Sequence, residues 1–228
     1  MKKIIYTLLA ITLVFSACKK EDDDTVNPPT NTSVFGCTDI TAINYNILAT
    51  IDTGSCIYDP RVYVPDDNFE QHLINIGKDD VMDNYVELDS ITSIDTLIVN
   101  NKNITDLTGI DYFYSLEILN CENNQLSELY LPYSVANLKI VNCSNNQITS
   151  LDVSECAYVE QVKCNNNQLT YLNIRTGPNW FPLSFVDVRN NPNLTCIQVD
   201  DVGYAEDEVD LGNWNIDSHH YFSTNCPQ

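Results

Sequence analysis

LEILNCENNQLSEL, Leu116 to Leu129, returns as LKIVNCSNNQITSL at Leu138 to Leu151 and again as VEQVKCNNNQLTYL at Val159 to Leu172. The spacing between copies is 22 residues and then 21. One spacing upstream, Ile94, Leu97, Val99, Ile104 and Leu107 fit the same frame, with Lys102 where the others carry an asparagine. Downstream, Leu183, Val186, Val188 and Asn191 open a further copy, which decays where Pro192-Asn193 adds a residue. A period of this length marks a chain wound into stacked coils, each too small to bury its apolar face alone, and about three copies suffice for stability. Around Leu119 and Cys121 the apolar positions alternate with period two. That predicts a short strand with alternate side chains inward, paired in parallel with its neighbours about 4.8 Å away.

The repeating asparagines, Asn124, Asn146 and Asn167, belong at the buried turn after each strand, where both ends of the amide can satisfy backbone groups of their own loop and of the next coil. Lys102 cannot stack there, so the ladder is expected to begin at Asn124. Cys121, Cys143 and Cys164 occupy an apolar slot and read as inward, small hydrophobes. One cysteine per coil also supplies no tetrahedral ligand set, and Cys156 is expected to be buried on the opposite, convex side.

These recurring positions resemble the leucine-rich repeat, in the bacterial form with cysteine in the third leucine slot, over roughly Tyr63 to Cys226. The resemblance implies a solenoid that is mostly β, with short parallel strands on the concave face, a helical N-terminal cap and a disulfide-closed C-terminal cap. Repeats are assigned to 94–194, with caps at 60–93 and 195–228. Caps are needed because the ends of a solenoid expose core. At the first end, Asp67 and Glu70 have the spacing of a capping box. Phe69, Leu73 and Ile76 share an apolar face, Gly77 is the stop, and His72 falls outside that face as a solvated residue. At the other end, Trp214, Ile216, Tyr221 and Phe222 offer bulk to seal the last coil, and Cys196 and Cys226 flank the segment as its disulfide.

Residues 1–17 have two lysines, an uncharged stretch and small residues before Cys18, the layout of an export signal too short to span a bilayer. Phe15-Ser16-Ala17-Cys18 resembles a lipobox, which implies a lipid anchor on Cys18. Residues 18–35 read as a solvated acidic tether. Lys20 followed by acidic residues is similar to the surface-export signal of Bacteroidota lipoproteins, which implies the outer membrane, facing the cell exterior. Residues 36–59 hold Cys37 and Cys56 among turn-formers, a pair expected to bond in an exported chain. This segment resembles a short cysteine module of Bacteroidota surface proteins. If Asp39 and Asp52 were calcium ligands, Thr53 would weaken the site by removing a carboxylate.

The chain holds 11 Lys and Arg against 32 Asp and Glu, a formal net charge of −21, which argues against nucleic acid as a partner. No phosphate loop, zinc-protease helix, serine elbow or CxxC pair occurs, and the three histidines fall in the caps. No enzyme, cofactor or metal is expected, and His219-His220 read as solvent contacts. Binding is expected instead on the outward strand positions, where Ile98, Ile118, Ile140 and Phe185 form an apolar path beside Lys163 and Arg189. β-Branched residues there also stabilise an exposed sheet by packing sideways, so the face admits both readings. Its area, on the order of 300 to 400 Å², is below the ~800 Å² per partner of a standard interface and suits an unknown protein, peptide or glycan. The expected function is a non-catalytic surface recognition or adhesion lipoprotein. The alternative is an accessory subunit of an envelope or nutrient-capture complex.

Overall fold

The computed structural model describes residues 33–177 and 183–227, so Cys18 and most of the tether lie outside the described residues. The chain divides into two compact units, Met1–Ile57 and Tyr58–Gln228. In the first, β1 (Phe35–Gly36) pairs in parallel with β2 (Ile51–Asp52), and Cys37 is bonded to Cys56. The Asn44 amide donates to the Ser55 carbonyl at 2.6 Å and accepts from the Ile57 N–H at 2.8 Å, doing for this loop what a strand would do elsewhere. Asp39 and Asp52 each accept from a nearby residue of their own turn, Thr41 and Gly54.

The second unit begins with β3 (Arg61–Tyr63), α1 (Asp67–Asn75), β4 (Tyr85–Glu87) and α2 (Leu88–Ile91). The coils follow, with β5 (Thr96–Ile98), β6 (Ile118–Asn120), β7 (Ile140–Asn142), β8 (Ser150–Asp152), β9 (Gln161–Lys163), β10 (Tyr171–Asn173), β11 (Phe185–Asp187) and β12 (Cys196–Gln198). The chain closes with α3 (Val202–Asp210), β13 (Trp214–Asn215) and β14 (Tyr221–Ser223). One parallel sheet runs β5-β6-β7-β9-β11-β13, and a second runs β8-β10-β12-β14. The first carries the period-two strands read from the sequence. The second was not anticipated: in the later coils the stretch after the ladder asparagine is itself a strand, with Leu151, Leu172 and Ile197 in register and fully buried. The core lies between the two, and Leu97, Leu119, Val141, Val162, Val186 and Trp214 form one inward column.

The asparagine ladder has one geometry throughout. Asn146 donates from Nδ2 to the carbonyls of Cys121 (3.0 Å) and Cys143 (3.1 Å) and accepts at Oδ1 from the Leu126 N–H (3.0 Å). Asn167 repeats this with Cys143, Cys164 and Ile148, and Asn191 with Cys164, Val188 and Leu169. Asn124 starts the ladder, accepting from both Lys102 and Ile104. Each amide therefore ties its own turn to the preceding coil, not to the following one. A second asparagine column stands beside it. Asn101, Asn123, Asn145, Asn166 and Asn190 take the left-handed conformation, with φ between 55° and 60°. This conformation favours asparagine over other non-glycine residues and turns the chain off each strand.

The N-terminal cap departs from the sequence reading at four residues. The helix N-cap is Asp66 rather than Asp67, its Oδ1 accepting from the Asn68 and Phe69 N–H groups. Glu70 is buried and, instead of reaching back to the helix start, accepts at Oε1 from the N–H groups of Asp83 (2.8 Å) and Asn84 (2.6 Å). His72 is buried, not solvated, and Ile76 is exposed. Asn68, one turn before His72 on the same side, donates to the Asn103 carbonyl, so that side of α1 lies against the first coil. Asp66 Oδ2 accepts from the Thr105 N–H (2.8 Å) and hydroxyl (2.7 Å), joining cap to coil through one carboxylate. Gly109, at φ 99°, passes so close that a Cβ there would stand 3.0 Å from the Tyr63 carbonyl.

At the far end the cap is a sixth coil. β13 and β14 extend the two sheets, Trp214 takes the place of Val186, and its Nε1 donates to the Leu183 carbonyl at 3.1 Å. Phe222 meets the Trp214 ring edge-on, while Ile216 is half-buried and Tyr221 is exposed. Cys196 and Cys226 are bonded.

Two outcomes follow from these contacts. Asn146→Ala strands the buried Leu126 N–H, while the Cys121 and Cys143 carbonyls each lose one of two asparagine donors and keep Asn124 or Asn167, so chemical denaturation should show a loss of about 1 to 3 kcal/mol. For Asp66, burial alone would raise the carboxyl, but hydrogen bonds from Thr105, Phe69 and Asp106 outweigh it and hold its pKa below the ordinary 3.8. Its contribution is therefore fully present above that value and fades as pH falls through the lower folded-state value. Asp66→Ala should cost roughly 2 to 4 kcal/mol at pH 7, and the two stability curves should converge in acid.

Candidate binding surface

The six-stranded sheet presents its outward side chains in rows set by the strand register. Thr96, Ile118, Ile140, Gln161 and Phe185 stand side by side, and Ile98, Asn120, Asn142, Lys163 and Asp187 form the next row. Ile98 is 43% exposed, and Ile118, Ile140, Lys163 and Phe185 are half-buried. The apolar path is not continuous. Ile118 and Ile140 are neighbours, Ile98 lies diagonally beside Ile118, and Gln161 separates this group from Phe185.

The two cations of this face are held differently. Lys163 places Nζ 5.3 Å from the centre of the Phe185 ring, so the ammonium and the aromatic form one unit. Arg189 is engaged by Asp187 through two bonds, Nε to Oδ1 at 2.9 Å and Nη2 to Oδ2 at 2.6 Å, which raises its pKa. Its charge is therefore largely answered within the protein. Between these groups a polar strip is bound sideways, coil to coil. Glu122 accepts from the Asn142 and Asn145 amides, and Ser144 donates to Asn165 at 2.6 Å.

On the other sheet the outward positions Asn173, Cys196 and Gln198 are buried, Ser150, Asp152 and Tyr221 are exposed and Tyr171 is half-buried, and Asn173 donates to Asp152. Where that sheet begins, an acidic notch of about 420 Å³ opens between the Glu128–Leu131 stretch and β8, lined also by Asp152 and Glu155. Tyr130, on its rim, is 76% exposed. No pattern in the sequence marks the notch, which lies beside β8, the edge strand of its sheet.

Cys121, Cys143, Cys156 and Cys164 are free and fully buried. Burial pushes the Cys143 and Cys156 thiols up to about 12 and those of Cys121 and Cys164 well above their ordinary value. Such thiols are neither nucleophiles nor ready metal ligands. The histidines sit at opposite ends, His72 under the first cap and His219 and His220 in the last coil. His220 is buried, which corrects its reading as a solvent contact.

The recurring unit is thus a strand, a left-handed asparagine, a buried asparagine and a return, stacked in parallel. The chain folds as a leucine-rich-repeat solenoid. No family model and no curated protein matches it. Among solved structures it is similar to the functional domain of InlJ from Listeria monocytogenes, described as including a cysteine ladder, at 24% identity and a TM-score of 0.45. That match covers 63% of this chain and 36% of the other. The internalin InlF from Listeria monocytogenes matches at 16% identity and a TM-score of 0.46, over 68% of this chain and 56% of that one. The chain thus spans only about a third to a little over half of the length of these proteins.

Cys143 tests the register of the ladder. In the native protein at neutral pH, alkylation of Cys121, Cys143 and Cys164 followed by mass spectrometry should be undetectable, becoming complete in denaturant. Cys143→Ser should cost about 1 to 3 kcal/mol by burying a hydroxyl without a partner, and Cys143→Ala less.

Proposed function

We propose that the chain is a lipid-anchored, surface-displayed lipoprotein of the Bacteroidota type whose solenoid recognises a protein, peptide or glycan and performs no chemistry of its own. The observation that carries this reading is the contrast between the two sheets. The outward positions of one are buried (Asn173, Cys196, Gln198) or carry Ser150, Asp152, Tyr171 and Tyr221, while the other sets partly open aliphatic side chains, Ile98, Ile118 and Ile140, and the Phe185 ring beside a cation in a strongly acidic chain. An aromatic ring, short aliphatic side chains and a positioned ammonium on fixed backbone form a small site that needs no rearrangement to bind. Its size suits an extended ligand or a multivalent contact better than one large globular partner. The anchor at Cys18 and export past the outer membrane rest on the resemblance of the first residues to lipoprotein signals, and among the described residues no helix is long and apolar enough to cross a membrane.

Photocrosslinking from position 163 on live cells, followed by mass spectrometry, identifies the partner and shows whether it is external or an envelope protein. Protease shaving of the same cells checks the display. Phe185→Ala should weaken capture by about 1 to 3 kcal/mol and, because the ring is half-buried, lower the melting temperature only modestly, and Lys163→Glu should chiefly slow association and alter its salt dependence. Capture indifferent to both changes but abolished by Tyr130→Ala or Tyr133→Ala would move the site to the return side of the coils.

A further inference from the structure

Asp217, His219 and His220 lie in the turn between β13 and β14, and each offers a ligand atom within 4.8 Å of the others. The pairing of Val186 with Trp214 sets a 28-residue spacing for the last coil, which places His219 where Asn191 stands one coil earlier. The asparagine ladder therefore ends on a histidine. In the preceding coils the N–H of the left-handed asparagine is met by a backbone carbonyl, as Asn166 is by Arg189. Here the Asn190 N–H is met by the Asp217 carboxylate instead, through Oδ2 at 2.6 Å. His219 Nε2 stands 3.4 Å from the Asn191 carbonyl, and the two imidazole rings are 4.3 Å apart. His220 is only 8% exposed. One of its nitrogens receives a long 3.3 Å contact from the Asp217 N–H, and the other, Nε2, is buried with no hydrogen-bond partner. A buried imidazole nitrogen left unpaired is costly and calls for an occupant, and a metal on Nε2 places the ring proton on Nδ1, so that the long Asp217 N–H contact is given up on binding.

We propose that Asp217, His219 and His220 bind a divalent transition metal of the zinc class, and that this ion pins the last coil of the solenoid. Two imidazole nitrogens with one carboxylate oxygen suit zinc, nickel or copper, whereas calcium and magnesium require oxygen ligands throughout. Three protein ligands leave at least one position for water. Because Asp217 also accepts from Asn190, an ion held here locks the final turn onto the one before it, where β13 and β14 are the edge strands among the described residues. The reading as a solvent contact fails for His220, which is buried, while His219 is exposed, and the coil register that brings them together is displayed by no local pattern around residues 217–220.

The test is titration of the purified full-length chain with zinc chloride, followed by calorimetry and thermal melting. One zinc per chain should bind with a dissociation constant in the micromolar range or below and raise the melting temperature, and EDTA should reverse the rise. Calcium should give no such shift. His219→Ala removes an exposed side chain and leaves the coil folded, so it should weaken binding at least tenfold. Asp217→Asn and His220→Ala should do the same where circular dichroism shows the fold retained. Absence of stoichiometric binding, or zinc affinity unchanged in His219→Ala, would overturn the assignment, the second outcome placing the ion on the acidic surface.

Discussion

The asparagine amide at each turn is the interaction on which the rest of this solenoid depends. One side chain closes its own turn and clasps the turn before it, using a carbonyl from each coil and an N–H from the earlier one. With the turns superposed, adjacent strands have no freedom to slip. A one-residue slip would turn every inward side chain outward, so the ladder fixes which residues form the core and which form the exposed rows. The outward arrangement of Ile118, Ile140, Lys163 and Phe185 is thus a consequence of hydrogen bonds made on the buried side. The left-handed asparagine beside each amide makes the arrangement possible by directing the chain back across the stack.

A ladder of this kind has ends, and its two ends are solved by different chemistry. At the start, Lys102 stands where an asparagine is missing, and Asp66 supplies the acceptors instead, with one oxygen for the cap helix and the other for the loop at Thr105. At the finish, Trp214 fills the core column with a larger side chain, its indole N–H reaching the Leu183 carbonyl. The coil beyond it is tied by Asp217 to Asn190. In both places an aspartate carboxylate supplies the acceptor: Asp66 takes several N–H donors at once, and Asp217 takes the Asn190 N–H that a backbone carbonyl takes in the earlier coils.

Much of this was legible in the sequence because the repeat exposes its own rules. Asn124, Asn146 and Asn167 recur at fixed offsets, and only buried, hydrogen-bonded positions require such constancy. The neighbouring asparagine recurs as well, yet residue identity alone does not distinguish a side chain needed for its amide from one needed for its backbone. The second sheet was hidden because the stretches around Leu151 and Leu172 are short, and their pairing depends on contacts between coils rather than on a pattern within one. The sixth coil was hidden by α3, which lengthens its spacing to 28 residues. His72 was misplaced because a helix wheel shows an apolar face but not the loop that packs against the polar one. On the candidate face the identities of the outward residues were readable, whereas the engagement of Arg189 by Asp187 and the seating of Lys163 over Phe185 were not.

The bond between Cys196 and Cys226 also settles how the protein bears load. Cys226 follows β14, while Cys196 sits in β12, one coil earlier in the stack. A pull applied beyond Cys226 is carried across the covalent bridge into β12 and bypasses β13 and β14. The last coil, which has a neighbour on only one side, is left slack inside a closed loop. Peeling must then begin at a strand with neighbours on both sides, and several hydrogen bonds must break before the first coil can open.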